Sequence, residues 1–158
     1  MSHRILFVCT GNVCRSPMAA ALFNAKARRA GEHPEYVADS TGTWALDNAP
    51  ASVHAISTMA ERGIDLAAHR GRTVTRELID QATIIIVMTR SHRDALASEF
   101  PTARSKIHLM SELIERTFDV ADPYGGTLAE YQDCAASLEK MIESGYEKIK
   151  TWISCGAC

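Results

Sequence analysis

A short apolar run that leads into a loop with a cysteine and an arginine constrains this fold more than any other feature. Residues 5–8 (Ile-Leu-Phe-Val) are continuously apolar, which is typical of a strand buried on both faces. Residues 9–15 form a tight loop, and Ser16-Pro17 predicts a helix start, with Ser16 as the N-cap and Pro17 at the first helical position. Because such a junction directs backbone N–H groups toward one point, we expect an anion site there.

The side chains of this loop suit a phosphoryl group. Gly11 and Asn12 tolerate the positive φ that converging amides require, and Arg15 carries a planar fork that can hold two phosphate oxygens. Cys9 lies at the mouth of the loop, where a helix N-terminus and a cation favour its thiolate. The pattern predicts a nucleophile, and the alternative is a small buried cysteine that only packs.

Composition excludes several classes of protein. The chain has 158 residues, which is enough for one domain (residues 1–158), and 46% of them are hydrophobic. The net charge of −2 provides no field for binding nucleic acid or an anionic membrane, and no apolar stretch is long enough to span a bilayer. The N-terminus has no signal-peptide pattern, and the five cysteines form an odd set, so we expect a cytoplasmic protein.

Strand and helix patterns alternate along the chain. Apolar runs predict strands over residues 5–8, 36–41, 82–88 and 106–110. Helical spacing and capping signals predict helices over residues 18–31, 50–63, 75–80, 91–100 and 127–153, with Ser91 as one of the caps. This alternation predicts a three-layer α/β sandwich with a parallel sheet and helices on both faces. Ligands bind such sheets beyond the carboxyl ends of the strands, where Cys9 is expected.

A second motif supplies a candidate acid. Asp122 lies in an Asp-Pro-Tyr-Gly-Gly loop ahead of the last helix, and phosphoryl transfer to Cys9 needs a group that protonates the leaving group. The alternative is an ordinary turn, for which Asp-Pro-Tyr-Gly is also typical.

Together, the two motifs resemble the low-molecular-weight protein tyrosine phosphatase family, including its protein arginine phosphatase branch. The resemblance implies a four-stranded parallel sheet in the flavodoxin-like order 2-1-3-4, with no metal and no cofactor. It implies that Cys9 attacks phosphorus, Arg15 binds the equatorial oxygens, and Asp122 protonates the leaving group and then activates water. It also implies that Ser40 and His69 support the loop. The residues that it implies for phosphate binding are Thr10, Gly11, Asn12, Val13, Cys14 and Ser16.

Different residues of the chain resemble branches of the family that act on different substrates. Tyr124-Gly125-Gly126 resembles the arginine branch, as does the segment over residues 88–92, whereas Val13 replaces the threonine that this branch carries. A valine packs on an aromatic ring but cannot orient a guanidinium by hydrogen bonding, and Tyr124 and Trp44 could add further ring-binding walls. We therefore rank phosphotyrosine in protein substrates ahead of phosphoarginine, and leave the oligomeric state open.

The other four cysteines have separate predicted roles, and two alternative functions are disfavoured by the sequence. The resemblance implies that Cys14 forms a reversible disulfide with Cys9, whereas simple packing is the alternative. Cys134 is expected to pack, and Cys155 and Cys158 to be incidental thiols in a frayed tail. An arsenate reductase would need a cysteine pair within residues 43–132, which contain none. A non-catalytic phosphopeptide-binding module would not need Cys9, Arg15 and Asp122 together.

Overall fold

Four parallel strands form the centre of the molecule. The computed structural model describes residues 2–156. The strands are β1 (His3–Cys9), β2 (Tyr36–Gly42), β3 (Ile84–Val87) and β4 (Ile107–Leu109), in the spatial order β2-β1-β3-β4. Each neighbouring pair is parallel, so the predicted sheet and its strand order are confirmed.

Helices cover both faces of this sheet, as predicted. They are α1 (Arg15–Arg29), α2 (Val53–Ala60), α3 (Arg76–Gln81), α4 (Arg90–Glu99) and α5 (Leu128–Cys155). Two short 3-10 helices, Pro101–Lys106 and Met110–Ile114, flank β4 and were not predicted. The larger apolar cluster includes Ile5 and Phe7 of β1, whereas the smaller one includes Leu6 and Val8. Successive strand side chains therefore point into opposite layers.

Two predicted helix caps are wrong. α1 begins at Arg15, after Cys14 at the N-cap position, and Ser16 lies inside the helix with its hydroxyl directed to other groups. α4 is capped by Thr89 rather than Ser91, because the Thr89 hydroxyl accepts the backbone N–H of His92. A short polar side chain near a helix start can serve either as a cap or in tertiary contacts, and the surrounding structure decides which.

The distal cysteines lie in the last helix. Cys134 is half-buried and packs against the larger apolar cluster, as predicted. Cys155 is the last residue of α5 and is disulfide-bonded, so its interpretation as an incidental thiol in a frayed tail is wrong. Cys158 lies outside the described residues. Among residues 2–156, no helix has the length and apolarity needed to cross a membrane.

Candidate active site

The predicted phosphate loop lies at the carboxyl end of β1 and continues directly into α1. Cys9 is the last residue of β1, and its side chain is buried at the base of an open cleft of about 320 Å³. The cleft is lined by both ends of the loop and by two other segments of the chain. Its lining residues are Cys9, Thr10, Gly11, Val13, Cys14, Arg15, Leu46, Asp122 and Tyr124.

Asn12 organises the loop from behind. Its φ is 59°, whereas Gly11 is not among the residues with positive φ, so only one of the two predicted positions uses the left-handed region. The buried Asn12 side chain donates from Nδ2 to Ser16 Oγ at 2.9 Å and to Ser40 Oγ at 3.0 Å. Its Oδ1 accepts the backbone N–H of Arg72 at 3.0 Å. The loop is thereby attached to α1, to β2 and to the segment that precedes α3.

Ser16 connects this network to Cys9. The Ser16 hydroxyl oxygen lies 2.9 Å from Cys9 Sγ and accepts the Asn12 amide, which leaves its own hydrogen free to donate to sulfur. The second acceptor within reach, the Thr41 carbonyl oxygen, is farther away at 3.3 Å. The Ser16 hydroxyl is therefore placed to donate a hydrogen bond to Cys9 Sγ.

His69 supports the same loop through its backbone. Its Nε2 lies 2.7 Å from the Asn12 carbonyl oxygen, which can only accept, so Nε2 carries the hydrogen. Burial lowers the pKa of His69, against the hydrogen bond to Asn12, and the positive charges of Arg72 and Arg70 lower it further. The ring is therefore a neutral donor. Both His69 and Ser40 contact Asn12, which is where the supporting network was predicted.

Arg15 carries the positive charge of the cleft. The side chain is 3% exposed and donates from Nη1 to the Val120 carbonyl oxygen at 2.8 Å. Its Nη2 lies 3.4 Å from Asp122 Oδ2, and its buried Nε has no hydrogen-bond partner among the described residues. An unpaired buried guanidinium N–H beside a cleft is suited to an anionic oxygen.

Asp122 lies at the mouth of the cleft on a tethered loop. Its Oδ1 accepts the backbone N–H of Tyr124 at 3.1 Å, and the side chain is 46% exposed. The loop is attached to Met88, the residue after β3, by the bond from the Val120 N–H to the Met88 carbonyl. It is attached to α4 by Asp119, which accepts from Arg90. The tertiary structure thus brings both predicted motifs to one cleft.

Cys14 is held on the inner side of the loop. Its Sγ lies 3.2 Å from the Tyr131 hydroxyl and 3.5 Å from Ser52 Oγ. Burial raises the pKa of the Cys14 thiol, although these two hydrogen bonds oppose the shift. Cys14 is therefore a protonated thiol at neutral pH, in the same cleft lining as Cys9.

The predicted lining of the cleft is wrong at one residue and incomplete at others. Trp44 is 84% exposed and does not line the cleft, and Leu46, two residues later, does so with Val13 and Tyr124. Arg72, whose backbone N–H donates to Asn12 Oδ1, was not predicted to belong to the site. The backbone contacts of Trp44 and Leu46 with loop carbonyls have no local sequence signal. Within residues 2–156, no cluster of three or more His, Cys, Asp or Glu side chains is arranged to hold a metal ion.

Comparisons with known proteins agree with this geometry. The family described as low molecular weight phosphotyrosine protein phosphatase matches residues 4–152. The protein-arginine-phosphatase of Geobacillus stearothermophilus is 41% identical over 152 residues, which cover 96% of this chain and 99% of that protein. The solved low molecular weight protein tyrosine phosphatase of T. tengcongensis is 39% identical with a TM-score of 0.88, covering 93% of this chain and 99% of that one.

A further solved relative bears on the chemistry. It is a mutant of the YwlE arginine phosphatase with a phosphorylated active-site serine, 35% identical with a TM-score of 0.87, covering 93% of this chain and 95% of that one. Matches of this extent cover nearly the whole fold and both motifs. This chain therefore belongs to the low molecular weight phosphotyrosine protein phosphatase family.

Proposed function

We propose that this chain hydrolyses phosphorylated proteins through a phosphocysteine formed at Cys9. In the first step, Cys9 Sγ attacks phosphorus, the bond to the leaving group breaks, and Asp122 gives its proton to that group. In the second step, Asp122 takes a proton from water, the water oxygen bonds to phosphorus, and the S–P bond breaks. Inorganic phosphate leaves, and the Cys9 thiolate is regenerated beside the Ser16 hydroxyl.

The observation that carries this proposal is the convergence of three groups on one cleft. Cys9, Arg15 and Asp122 line it together, and the buried Nε of Arg15 has no hydrogen-bond partner among the described residues. The transferring phosphoryl group is loosely bonded in the transition state, so fixed donors and a nearby cation provide most of the stabilisation. The loop amides at the N-terminus of α1 and the Arg15 fork are such donors.

For the substrate, we propose phosphotyrosine. Val13, Leu46 and Tyr124 give the cleft apolar walls, which suit an aromatic ring attached to the phosphoryl group. Phosphoarginine is the second candidate, because a relative at 41% identity is a protein-arginine-phosphatase and because Tyr124 is followed by two glycines.

Parallel assays on phosphotyrosine and phosphoarginine peptides test both substrates. We expect a higher kcat/KM for the phosphotyrosine peptide, and we expect Cys9→Ser to abolish turnover of both. Val13→Thr adds a hydroxyl without changing the branched shape, so the ratio should move toward phosphoarginine. An unchanged ratio would remove Val13 as the selector. If the wild-type protein binds both peptides but turns over neither, nor a simple aryl phosphate, it is a binding module and the enzymatic proposal is wrong.

We also propose that Cys14 protects Cys9 from irreversible oxidation. Peroxide would oxidise the Cys9 thiolate to a sulfenic acid, and the Cys14 sulfur would then displace hydroxide, so that a disulfide and water form. A small thiol would reduce this disulfide and restore activity. Cys14→Ser should therefore recover less activity than wild type when a thiol is added after peroxide, and equal recovery would contradict the role. Because catalysis needs a reduced Cys9, we propose a reducing cytoplasm as the compartment of the enzyme, in which the disulfide at Cys155 would be reduced as well. We also propose that residues 1–158 form a single domain.

A further inference from the structure

His92 lies directly behind the phosphate loop, and no step of the proposed mechanism uses it. It is in the first turn of α4 and is 5% exposed. Its backbone N–H donates to Thr89 Oγ1 at 3.1 Å, and its ring Nδ1 accepts the Thr89 backbone N–H at 3.2 Å. The ring thus closes a capping box, a place in which glutamate or glutamine is usual. Nδ1 is thereby committed as an acceptor.

The hydrogen bond at Nδ1 determines what the other ring nitrogen does. A neutral ring whose Nδ1 accepts must carry its hydrogen on Nε2, and His92 Nε2 lies 2.8 Å from Thr10 Oγ1. Nε2 therefore donates to the Thr10 hydroxyl oxygen. The hydrogen of that hydroxyl is left for an acceptor in the cleft, where Thr10 lies with Cys9 and Arg15.

The surroundings of the ring keep it neutral. Burial, followed by the positive charge of Arg15, lowers the pKa of His92 to about 4, against the opposing charges of Asp119 and Asp122. A protonated ring would also direct an N–H at the Thr89 N–H and open the capping box. The tautomer inferred from the hydrogen bonds is thus the one present at neutral pH.

The same turn of α4 also holds the loop that carries the acid. The backbone N–H and Nε of Arg90 donate to Asp119 Oδ1 at 2.8 and 3.1 Å. Val120, the next residue, accepts from Arg15 through its carbonyl. His92 therefore contacts the phosphate loop, and Arg90 contacts the Asp122 loop.

We infer that His92 is a positioning residue that fixes the Thr10 hydroxyl so that it donates its hydrogen to an oxygen of the bound phosphoryl group. The inference rests on the proposed function. A hydrogen bond to a charged acceptor contributes about tenfold or more in an equilibrium or rate. Loss of either His92 or the Thr10 hydroxyl should lower kcat/KM by about that factor. Because both changes remove the same contact, their effects should not add.

A double-mutant cycle tests this coupling. His92→Ala, Thr10→Val and the double variant are compared with wild type for turnover of 4-nitrophenyl phosphate and for inhibition by inorganic phosphate. We expect each single variant to lose about tenfold in kcat/KM and the double variant to lose little more. Thr89→Ala is the matched control, because it removes the other half of the capping box and leaves the contact between His92 and Thr10 in place. It should lower Tm with kcat/KM within about twofold of wild type.

Three kinetic results would overturn the inference: additive losses in the double variant, an unaffected His92→Ala, or a Thr89→Ala as impaired in turnover as His92→Ala. NMR of the histidine ring nitrogens in the wild-type protein applies even where His92→Ala does not fold. We expect a neutral ring with its hydrogen on Nε2 at neutral pH, and a hydrogen on Nδ1 or a doubly protonated ring would refute the assignment. Failure of the proposed function is distinguishable, because the wild-type protein would then show no turnover while the ring spectrum stayed as expected.

Discussion

Replacing Asn12 by alanine removes three side-chain hydrogen bonds from behind the phosphate loop and leaves the backbone in a left-handed conformation. The lost bonds join Asn12 to Ser16, Ser40 and the Arg72 N–H, at 2.9, 3.0 and 3.0 Å. Each such bond contributes about 1 kcal/mol net, and a partner left buried and unpaired costs roughly 1–3 kcal/mol. Alanine at a φ of 59° adds strain of roughly 1–2 kcal/mol. We therefore expect Asn12→Ala to lower the free energy of unfolding by about 4 kcal/mol.

Asn12→Gly is the matched control for the backbone term. It loses the same three hydrogen bonds but adopts positive φ without strain. The greater conformational entropy of its unfolded chain lowers its stability by roughly 0.4–1 kcal/mol relative to alanine. Glycine should therefore be more stable than alanine at this position by about 0.5–1 kcal/mol.

Urea unfolding at neutral pH measures both differences. Under conditions in which each variant is folded, both should also lose kcat/KM for an aryl phosphate, because the loop no longer holds its shape. If both variants lie within about 1 kcal/mol of wild type, the Asn12 side chain does not stabilise the loop, and if the alanine variant is as stable as the glycine variant, the positive φ adds no strain.

Three further changes test other parts of the site. In Gly42→Ala the new Cβ would overlap the Thr10 carbonyl oxygen, so kcat/KM should fall at least about tenfold as the loop shifts, and wild-type kinetics would argue against close packing there. Arg15→Lys keeps the charge but loses the fork and the bond to Val120, so kcat/KM should fall by roughly 10²–10³, and a loss below about tenfold would contradict the role of the fork. His92 has a pKa of about 4 in the folded protein and 6.5 as its ordinary value, so between these values the unfolded chain binds a proton that the folded chain does not. Stability should therefore fall as the pH decreases through this range, with a smaller slope in His92→Ala, and urea midpoints that do not change with pH would exclude this titration.

Local patterns were informative where neighbouring residues in the chain are also neighbours in space. The apolar run of β1, the loop and the start of α1 are contiguous, so Cys9 and Arg15 could be proposed as site residues from their order alone. The alternation of strands and helices was likewise sufficient to predict a parallel sheet covered on both faces. The cap assignment at Ser16 failed because its hydroxyl makes buried tertiary contacts instead. The assignment at Ser91 failed because Thr89, two residues earlier, caps the helix.

The sequence by itself determined the layered α/β architecture and the positions of the candidate nucleophile and the candidate phosphate loop, because each follows from the local order of residue types. Only the tertiary structure decided which distant groups meet there. It places Asp122 beside Arg15, Asn12 against Ser40 and the backbone of Arg72, and Leu46 in the cleft lining where Trp44 was expected. Such contacts depend on how separate strands and loops pack at one edge of the sheet, and no local spacing in the chain encodes them.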